Sequence, residues 1–298
     1  MQQIRQFPVE LLDALPTEKD ITFYEEHGWF VTPKVLNDEV ISAAILAAES
    51  YHDGKRDRTL SVTSGYSDWK PGDGDGVRNN EFVSLQNDTF RDFVMQPIIG
   101  AIAARLARTP EIRLLDDQLI FKPPSDNKFA TVVGWHSDGA YWATCNSHNL
   151  LTAWIPFHDV EEERGTLVVL DGSHKWKGLE HTRFFNEAQL DTIEEKLRSE
   201  GRTFKRVPMN LKKGQIEFHH RWTLHASYPN RSSLSRLCLA IHFQDQTNHY
   251  QSASTRDGRK IELVHERMCR ALPSGEPDFS DPNVFPTLWK SVSSENSA

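Results

Sequence analysis

Hydrophobic and polar positions follow two rhythms along this 298-residue chain. Up to about residue 110, apolar side chains recur at helical spacing, and beyond Pro110 they come in short runs of β type separated by turns. Thr17-Glu18-Lys19-Asp20 opens a short helix that Gly28 stops, just ahead of the apolar run Trp29-Phe30-Val31. Asn37 caps a second helix, VISAAILAAESYH. A third is predicted from about Thr89 to Ala107, with Phe90, Phe93, Val94, Ile98, Ile99, Ile102 and Leu106 near helical spacing. The Gly- and Asp-rich stretch from Asp68 to Arg78 predicts a long loop.

The later segments IRLLDDQLIF, LLTAWIPF, TLVVL, QIEFHH and SRLCLAIHFQD predict strands. An insert at about 174–213 interrupts them and contains the helix-like NEAQLDTIEEKLRSE. Helices followed by strands predict an α+β, mainly β chain whose functional body is a sandwich or barrel. A chain of this length is expected to form a single catalytic domain. Its parts would be a helical portion over about 1–110, a β core over about 111–250 and a C-terminal extension over about 251–298. The polar end SVSSENSA is expected to fray.

A formal charge of -8 argues against a nucleic-acid or anionic-membrane surface, so any anion must meet a local site. No apolar run reaches the ~18 residues of a membrane span, and MQQIRQFPVELLDALP lacks the layout of a secretory signal, so a cytoplasmic location is expected. Cys145, Cys238 and Cys269 are widely spaced with no C-x-x-C pair, which predicts free structural thiols.

Candidate chemistry lies in the β region. Within Gly134-Trp135-His136-Ser137-Asp138-Gly139, an imidazole and a carboxylate stand two residues apart, on one face if the backbone is extended. They could grip one ion together, although a strand-end His beside an Asp is commonly just hydrogen-bonded. The run from Gly214 to His225 adds His219, His220 and His225, any one of which would complete two histidines plus a carboxylate, the set that leaves open positions on iron(II). In the strand after it, Leu237, Leu239, Ile241 and Phe243 alternate with Arg236, Cys238, Ala240 and His242. Arg236 therefore turns inward, where it needs an anion or a salt bridge to one of the chain's acidic residues.

The ordered motifs FKPP, WHSDGAYW, LLTAWIPF, ERGTLVVLDGSHKW and LHASYPN-x5-R, with FYEEHGWFV ahead of them, resemble the phytanoyl-CoA dioxygenase family of iron(II) and 2-oxoglutarate oxygenases. The resemblance runs from about Ile21 to Gln244 and implies a double-stranded β-helix, or jelly roll, behind flanking N-terminal helices. It implies His136, Asp138 and His225 as metal ligands. His225 is selected because the family's distal histidine is followed by a hydroxyl two residues on and an Arg eleven on, matched by Ser227 and Arg236. His219 and His220 are then strand residues, at least one of them exposed.

By the same resemblance Arg236 and Ser227 hold the distal carboxylate of 2-oxoglutarate, with Gln118 and Trp154 as further co-substrate contacts. Arg78 is the nearest candidate for an additional basic contact. Tyr141 and Trp142 would lie at the metal mouth beside a small-molecule substrate, His174 of the GSH turn is structural, and the segments at 68–78 and 174–213 are lids. The implied activity uses Fe(II), 2-oxoglutarate and O2, releases succinate and CO2, and hydroxylates a metabolite or biosynthetic intermediate. Desaturation, cyclisation and epimerisation share that chemistry. Two alternatives stay open: a zinc hydrolase with the same ligands, which has no use for an inward Arg236, and a metal-binding jelly roll without catalysis, which would bind iron but consume no 2-oxoglutarate.

Overall fold

The structure, a computed structural model, describes residues 9–127, 129–178 and 186–291. The terminal tail from 292 and part of the insert therefore lie outside the described residues.

Helix α1 (Glu18–His27) starts where Thr17 and Asp20 satisfy each other's backbone N–H groups, and it ends at Gly28, left-handed at φ 79°. Strand β1 (Trp29–Val31) follows, then α2 (Asp38–His52), capped by the Asn37 side chain accepting from the Val40 N–H at 2.9 Å. Strand β2 (Arg78–Glu81) and a short helix α3 (Val83–Gln86) come next. The single helix expected over about 89–107 is instead two, α4 (Asp88–Val94) and α5 (Pro97–Leu106). Pro97 has no N–H to donate and pushes Gln96 out of helical conformation, to ψ 120°, so the apolar rhythm continues across a break.

Strands β3 (Glu111–Lys122), β4 (Val133–His136), β5 (Leu151–Pro156) and β6 (Leu167–Leu170) precede α6 (Leu190–Ser199). After them come β7 (Arg206–Pro208), β8 (Glu217–His220), β9 (His225–Ser227) and β10 (Arg236–Asp245). The C-terminal part adds β11 (Ala253–Ser254), β12 (Lys260–Ile261), α7 (Val264–Met268) and β13 (Thr287–Lys290).

Two antiparallel sheets make the jelly roll. The larger runs β1-β8-β5-β10-β3-β13, with β2 also paired to β3, and the smaller runs β4-β9-β6-β7. The first part of the chain is thus not purely helical, since β1 and β2 join the larger sheet. The C-terminal extension joins it too, through β13. Helices α2, α4 and α5 cover the outer face of this sheet, with Ile41, Phe90, Ile99, Leu239, Ile241 and Phe243 in one apolar cluster. Burying side chains of this size contributes about 1.5–3 kcal/mol each. Leu190, Ile193 and Leu197 of α6 pack on Trp135, Val168 and Leu170 at the back of the smaller sheet. Cys145, Cys238 and Cys269 are free thiols. Among the described residues no helix is long and apolar enough to cross a membrane.

One irregularity decides what faces the cavity between the sheets. Along β3 and β10, His242 pairs with Asp116 but Phe243 pairs with Leu114, so Leu115 is an extra residue. Ile112 and Leu114 consequently pack under the helices. Beyond the bulge the phase reverses: Leu119 takes the helical side, and Gln118 and Ile120 line the cavity.

Candidate metal centre

His136 ends β4 and pairs across the smaller sheet with His225, the first residue of β9. Their ring centroids are 4.1 Å apart. Each ring is oriented by its own backbone: Nδ1 of His136 lies 2.8 Å from the Gly134 carbonyl oxygen, and Nδ1 of His225 lies 3.0 Å from that of Thr223. The Nδ1–H groups donate to those oxygens, which leaves both Nε2 lone pairs directed at the cavity. Ser137 is extended at φ −120° and ψ 141°, so Asp138 returns to the same side as His136. Asp138 Oδ1 lies 3.4 Å from His225 Nε2 and 3.9 Å from His136 Nε2. Gly139 follows because a Cβ there would come within 2.8 Å of Arg221 Nε.

One ligand atom from each of these three buried residues can be chosen so that all lie within 4.8 Å of one another. Ligand atoms at adjacent octahedral positions, ~2.1 Å from a metal, are about 3 Å apart. Two imidazoles and one carboxylate at this separation fit such an ion with small inward shifts. Burial holds the His136 imidazole below its ordinary pKa, and burial followed by the His136 charge holds His225 well below it, which keeps both in the neutral, ligating form.

The larger sheet supplies the wall opposite, and its cross-strand registers arrange that wall in rows. His219, Thr152, His242 and Asp116 are successive neighbours across β8, β5, β10 and β3. This row grips the second carboxylate oxygen of Asp138, which accepts from Thr152 Oγ1 at 2.5 Å and lies 3.1 Å from His219 Nε2. Thr152 Oγ1 is also 2.8 Å from His242 Nδ1. His219 Nδ1 in turn lies 2.8 Å from Glu217, which is fully buried. Burial alone would lower the His219 pKa, but Glu217 and Asp138 on either side raise it to about 10. Burial works against the Asp138 charge as well, yet His225, His219 and His242 hold its carboxyl well below the usual range.

His219 is 1% exposed and His220 is half-buried, which corrects the expectation that one of them faces solvent. Gly28 at the end of α1 packs against the loop following them and closes that side. His174 sits far from the triad, with Nε2 3.1 Å from the Glu25 carbonyl oxygen.

At the other end of the wall, Arg236 and Lys122 are cross-strand partners. Arg236 is 1% exposed, and its Nε has no hydrogen-bond partner. Lys122 is 0% exposed and donates to Ser227 Oγ at 2.6 Å and to the Tyr228 carbonyl at 3.0 Å. Neither cation has a carboxylate partner among the described residues. Burial, then the neighbouring Arg236 charge, pushes the Lys122 pKa well below its ordinary value. Two buried cations without an anion are a costly arrangement unless a ligand supplies the anion.

A cavity of about 500 Å³ connects Arg236 and Ser227 to the triad, with Gln118, Ile120, Trp154 and Ala240 along its walls. Gln118 donates to Glu81 at 3.2 Å, and the Arg236 guanidinium stands 5.6 Å from the Trp154 ring centroid. Arg78 stacks on Trp69 and Phe121 instead, so the second basic group at this end is Lys122. A second cavity, about 460 Å³, shares Gln118, His136, Asp138 and His242 with the first and is lined in addition by Tyr141, Trp142, Asp116 and His265. Asn186 of the insert reaches both cavities, and Val77 of the Gly/Asp loop lines the first.

The structure therefore brings together His136, Asp138, His225, Arg236, Ser227, Gln118, Trp154, Tyr141 and Trp142. Sequence reasoning gave no role in the site to Lys122, Thr152 and Asp116; it turned His242 inward with Arg236 without assigning it a contact, and it set His219 aside as a strand residue. The signal for Lys122 was its place in FKPP two residues past Ile120. The contacts that Thr152, His219, His242 and Asp116 make with one another become visible only through strand register.

The profile of the family described as phytanoyl-CoA dioxygenase (PhyH) matches residues 24–238. The chain is 25% identical over 294 residues to the peroxisomal phytanoyl-CoA dioxygenase of Mus musculus, spanning 95% of this chain and 85% of that protein. It is 32% identical over 135 residues to a probable alpha-ketoglutarate-dependent hypophosphite dioxygenase of Stutzerimonas stutzeri, 44% of each. Among solved structures, the non-heme alpha-ketoglutarate-dependent carbocyclase SnoK from nogalamycin biosynthesis superposes with a TM-score of 0.67 at 23% identity, covering 91% of this chain and 96% of that one. EctD from S. alaskensis, crystallised with 2-oxoglutarate and 5-hydroxyectoine, gives 0.66 at 14% identity, covering 90% and 88%. These two structural likenesses are of fold.

Proposed function

The chain belongs to the phytanoyl-CoA dioxygenase family, and from that premise we propose that it is an iron(II)- and 2-oxoglutarate-dependent oxygenase acting on a small molecule. The observation that carries this reading is the buried Arg236, which lines the same cavity as the triad, is backed by its cross-strand neighbour Lys122 and has no carboxylate partner among the described residues. A hydrolytic metal centre has no need of such a group. A dicarboxylate that reaches the metal with one end does.

In this reading His136, Asp138 and His225 hold iron(II). When bound, the metal supplies a centre where 2-oxoglutarate and dioxygen meet, so that oxidative decarboxylation to succinate and CO2 is coupled to oxidation of the substrate. Arg236 would receive the distal carboxylate as a two-pronged donor, and Lys122 would position Ser227 and add charge. Trp154, Ile120 and Ala240 would pack on the methylene carbons. Thr152 and His219 occupy the outer oxygen of Asp138 and thereby leave its inner oxygen for the metal. The chain acts as a single catalytic unit on this account, because β13 from its last part hydrogen-bonds to the same strand that carries Gln118 and Lys122.

The proposed reaction is hydroxylation. Mass analysis of the product distinguishes it from desaturation, cyclisation and epimerisation: one added oxygen, two lost hydrogens, or no change. The function itself is tested by oxygen-dependent conversion of 2-oxoglutarate to succinate in iron-loaded protein. Arg236→Ala is expected to bind metal normally and to weaken 2-oxoglutarate binding by about 100-fold or more, the usual consequence of removing one partner of a buried charge pair. His225→Ala is expected to lose metal binding and turnover together. An Arg236→Ala variant with unchanged co-substrate affinity would remove that residue from the site.

A further inference from the structure

The second cavity, which reaches His136 and Asp138 but not Arg236, has the opposite electrostatic character. Its walls carry Asp116, Glu81 and, at the mouth, Glu262, and among the described residues no Lys or Arg lines it. Asp116 is 7% exposed, and its Oδ1 accepts no hydrogen bond, although His242 Nε2 lies 3.4 Å away. Glu81 is held in place: Oε2 accepts from the Ser67 N–H at 2.8 Å and Oε1 from Gln118 at 3.2 Å.

A second, separate group points the same way. His265, from α7, is 4% exposed and lines this cavity, and neither of its ring nitrogens has a hydrogen-bond partner. It is packed among the rings of Phe82, Phe279 and Phe285, at 5.9, 6.1 and 6.0 Å. Residue 265 lies beyond the 24–238 segment matched by the family profile, so this wall belongs to the chain's own C-terminal part.

We infer that this cavity binds the primary substrate and that the substrate is a small cation of the ammonium class, its charge held by Asp116 with Glu81 behind it and its neighbouring polar group met by His265. The inference rests on the oxygenase reading above, since it takes the substrate to lie beside the His136–Asp138 side of the centre. Burial, followed by the charges of Glu81, Asp117 and Asp138, pushes the Asp116 carboxyl well above its usual range, and an arriving cation relieves that unfavourable cluster. Tyr141, Trp142 and Phe82 supply ring faces and edges at the same cavity, which suit an ammonium group carrying an apolar frame. A free carboxylate or phosphate-bearing head group would instead meet carboxylates at every turn.

The test uses the full chain loaded with nickel(II) and 2-oxoglutarate, so that binding is read without turnover. Benzylammonium, benzyl alcohol and benzoate, with further triplets matched on other carbon frames, are titrated by calorimetry. The ammonium members are expected to bind at least about tenfold more tightly than their alcohol and carboxylate counterparts. Asp116→Asn is expected to lose most of that preference, and Glu81→Gln a smaller part, about threefold. Equal or tighter binding of the alcohols or carboxylates, no binding by any ammonium member, or a preference that survives both substitutions would each overturn the inference. The 2-oxoglutarate-induced thermal shift is recorded alongside for every variant. Its absence in the unmodified protein counts against the oxygenase reading, whereas its presence with no ammonium preference counts against the substrate class alone.

Discussion

Asp138 has one oxygen toward His136 and His225 and the other enclosed by Thr152 and His219. That division of labour is a property of single side chains, and one methyl-for-hydroxyl exchange tests it. Thr152→Val keeps the volume but removes the donor, and it is expected to weaken metal binding about 10-fold or more, as outer partners of ligands generally do. Competitive titration against a chelator of known affinity measures it, and an unchanged affinity would mean that His219 alone orients the carboxylate. At this scale the sequence was most informative where spacing along one strand suffices. His136 and Asp138 share a face because Ser137 is extended, and Arg236 turns inward by simple alternation. That His219 is buried was not legible, because what encloses it, Glu217 on one side and Asp138 on the other, includes a residue 81 positions away.

Elements bring these residues into register. The caps at Thr17, Asn37 and Gly28 were legible because each is a local bargain between a side chain, or its absence, and the helix end. The bulge at Leu115 was not, since an extra residue in one strand is defined only by its partner strand. Gly28 joins the two kinds of information. Its carbonyl accepts from Thr223 Oγ1 at 2.6 Å and from the His220 N–H at 2.9 Å, and a Cβ at φ 79° would stand 2.3 Å from His174 Nδ1. Gly28→Ala is therefore expected to cost about 1–3 kcal/mol. It should also loosen the turn whose Thr223 carbonyl orients His225. Calorimetric melting should drop by a few degrees and metal affinity should fall with it; a melting point equal to the unmodified protein's would show that the loop accommodates the methyl group freely.

For the molecule as a whole, the order of helices and strands was readable from periodicity, but sheet order and the entry of β13 into the larger sheet were not, because both depend on pairings between distant segments. Apart from His219, the assembled interior also buries several imidazoles as neutral groups. Burial lowers His242 and His265 to about 4 and His220 to about 3, against an ordinary value of 6.5. At these three sites the unfolded chain binds more protons than the folded one below pH 6.5, so they favour folding above that pH and their contribution is lost as pH falls toward 4. Metal-free protein is expected to lose about 1 kcal/mol per such histidine by roughly pH 5.5. Melting temperatures of the unmodified protein and of His265→Phe across that range check this: the variant should lose less stability between pH 7 and 5.5, and identical slopes would contradict it. The central claim, that one cavity holds iron(II) at His136, Asp138 and His225 and 2-oxoglutarate between that ion and Arg236, is tested most directly by anaerobic spectral titration. Adding 2-oxoglutarate to the iron(II)-loaded protein should produce a weak visible charge-transfer band that saturates at one equivalent and is absent from His225→Ala, whereas metal-loaded protein that gives no band at saturating 2-oxoglutarate would contradict the account.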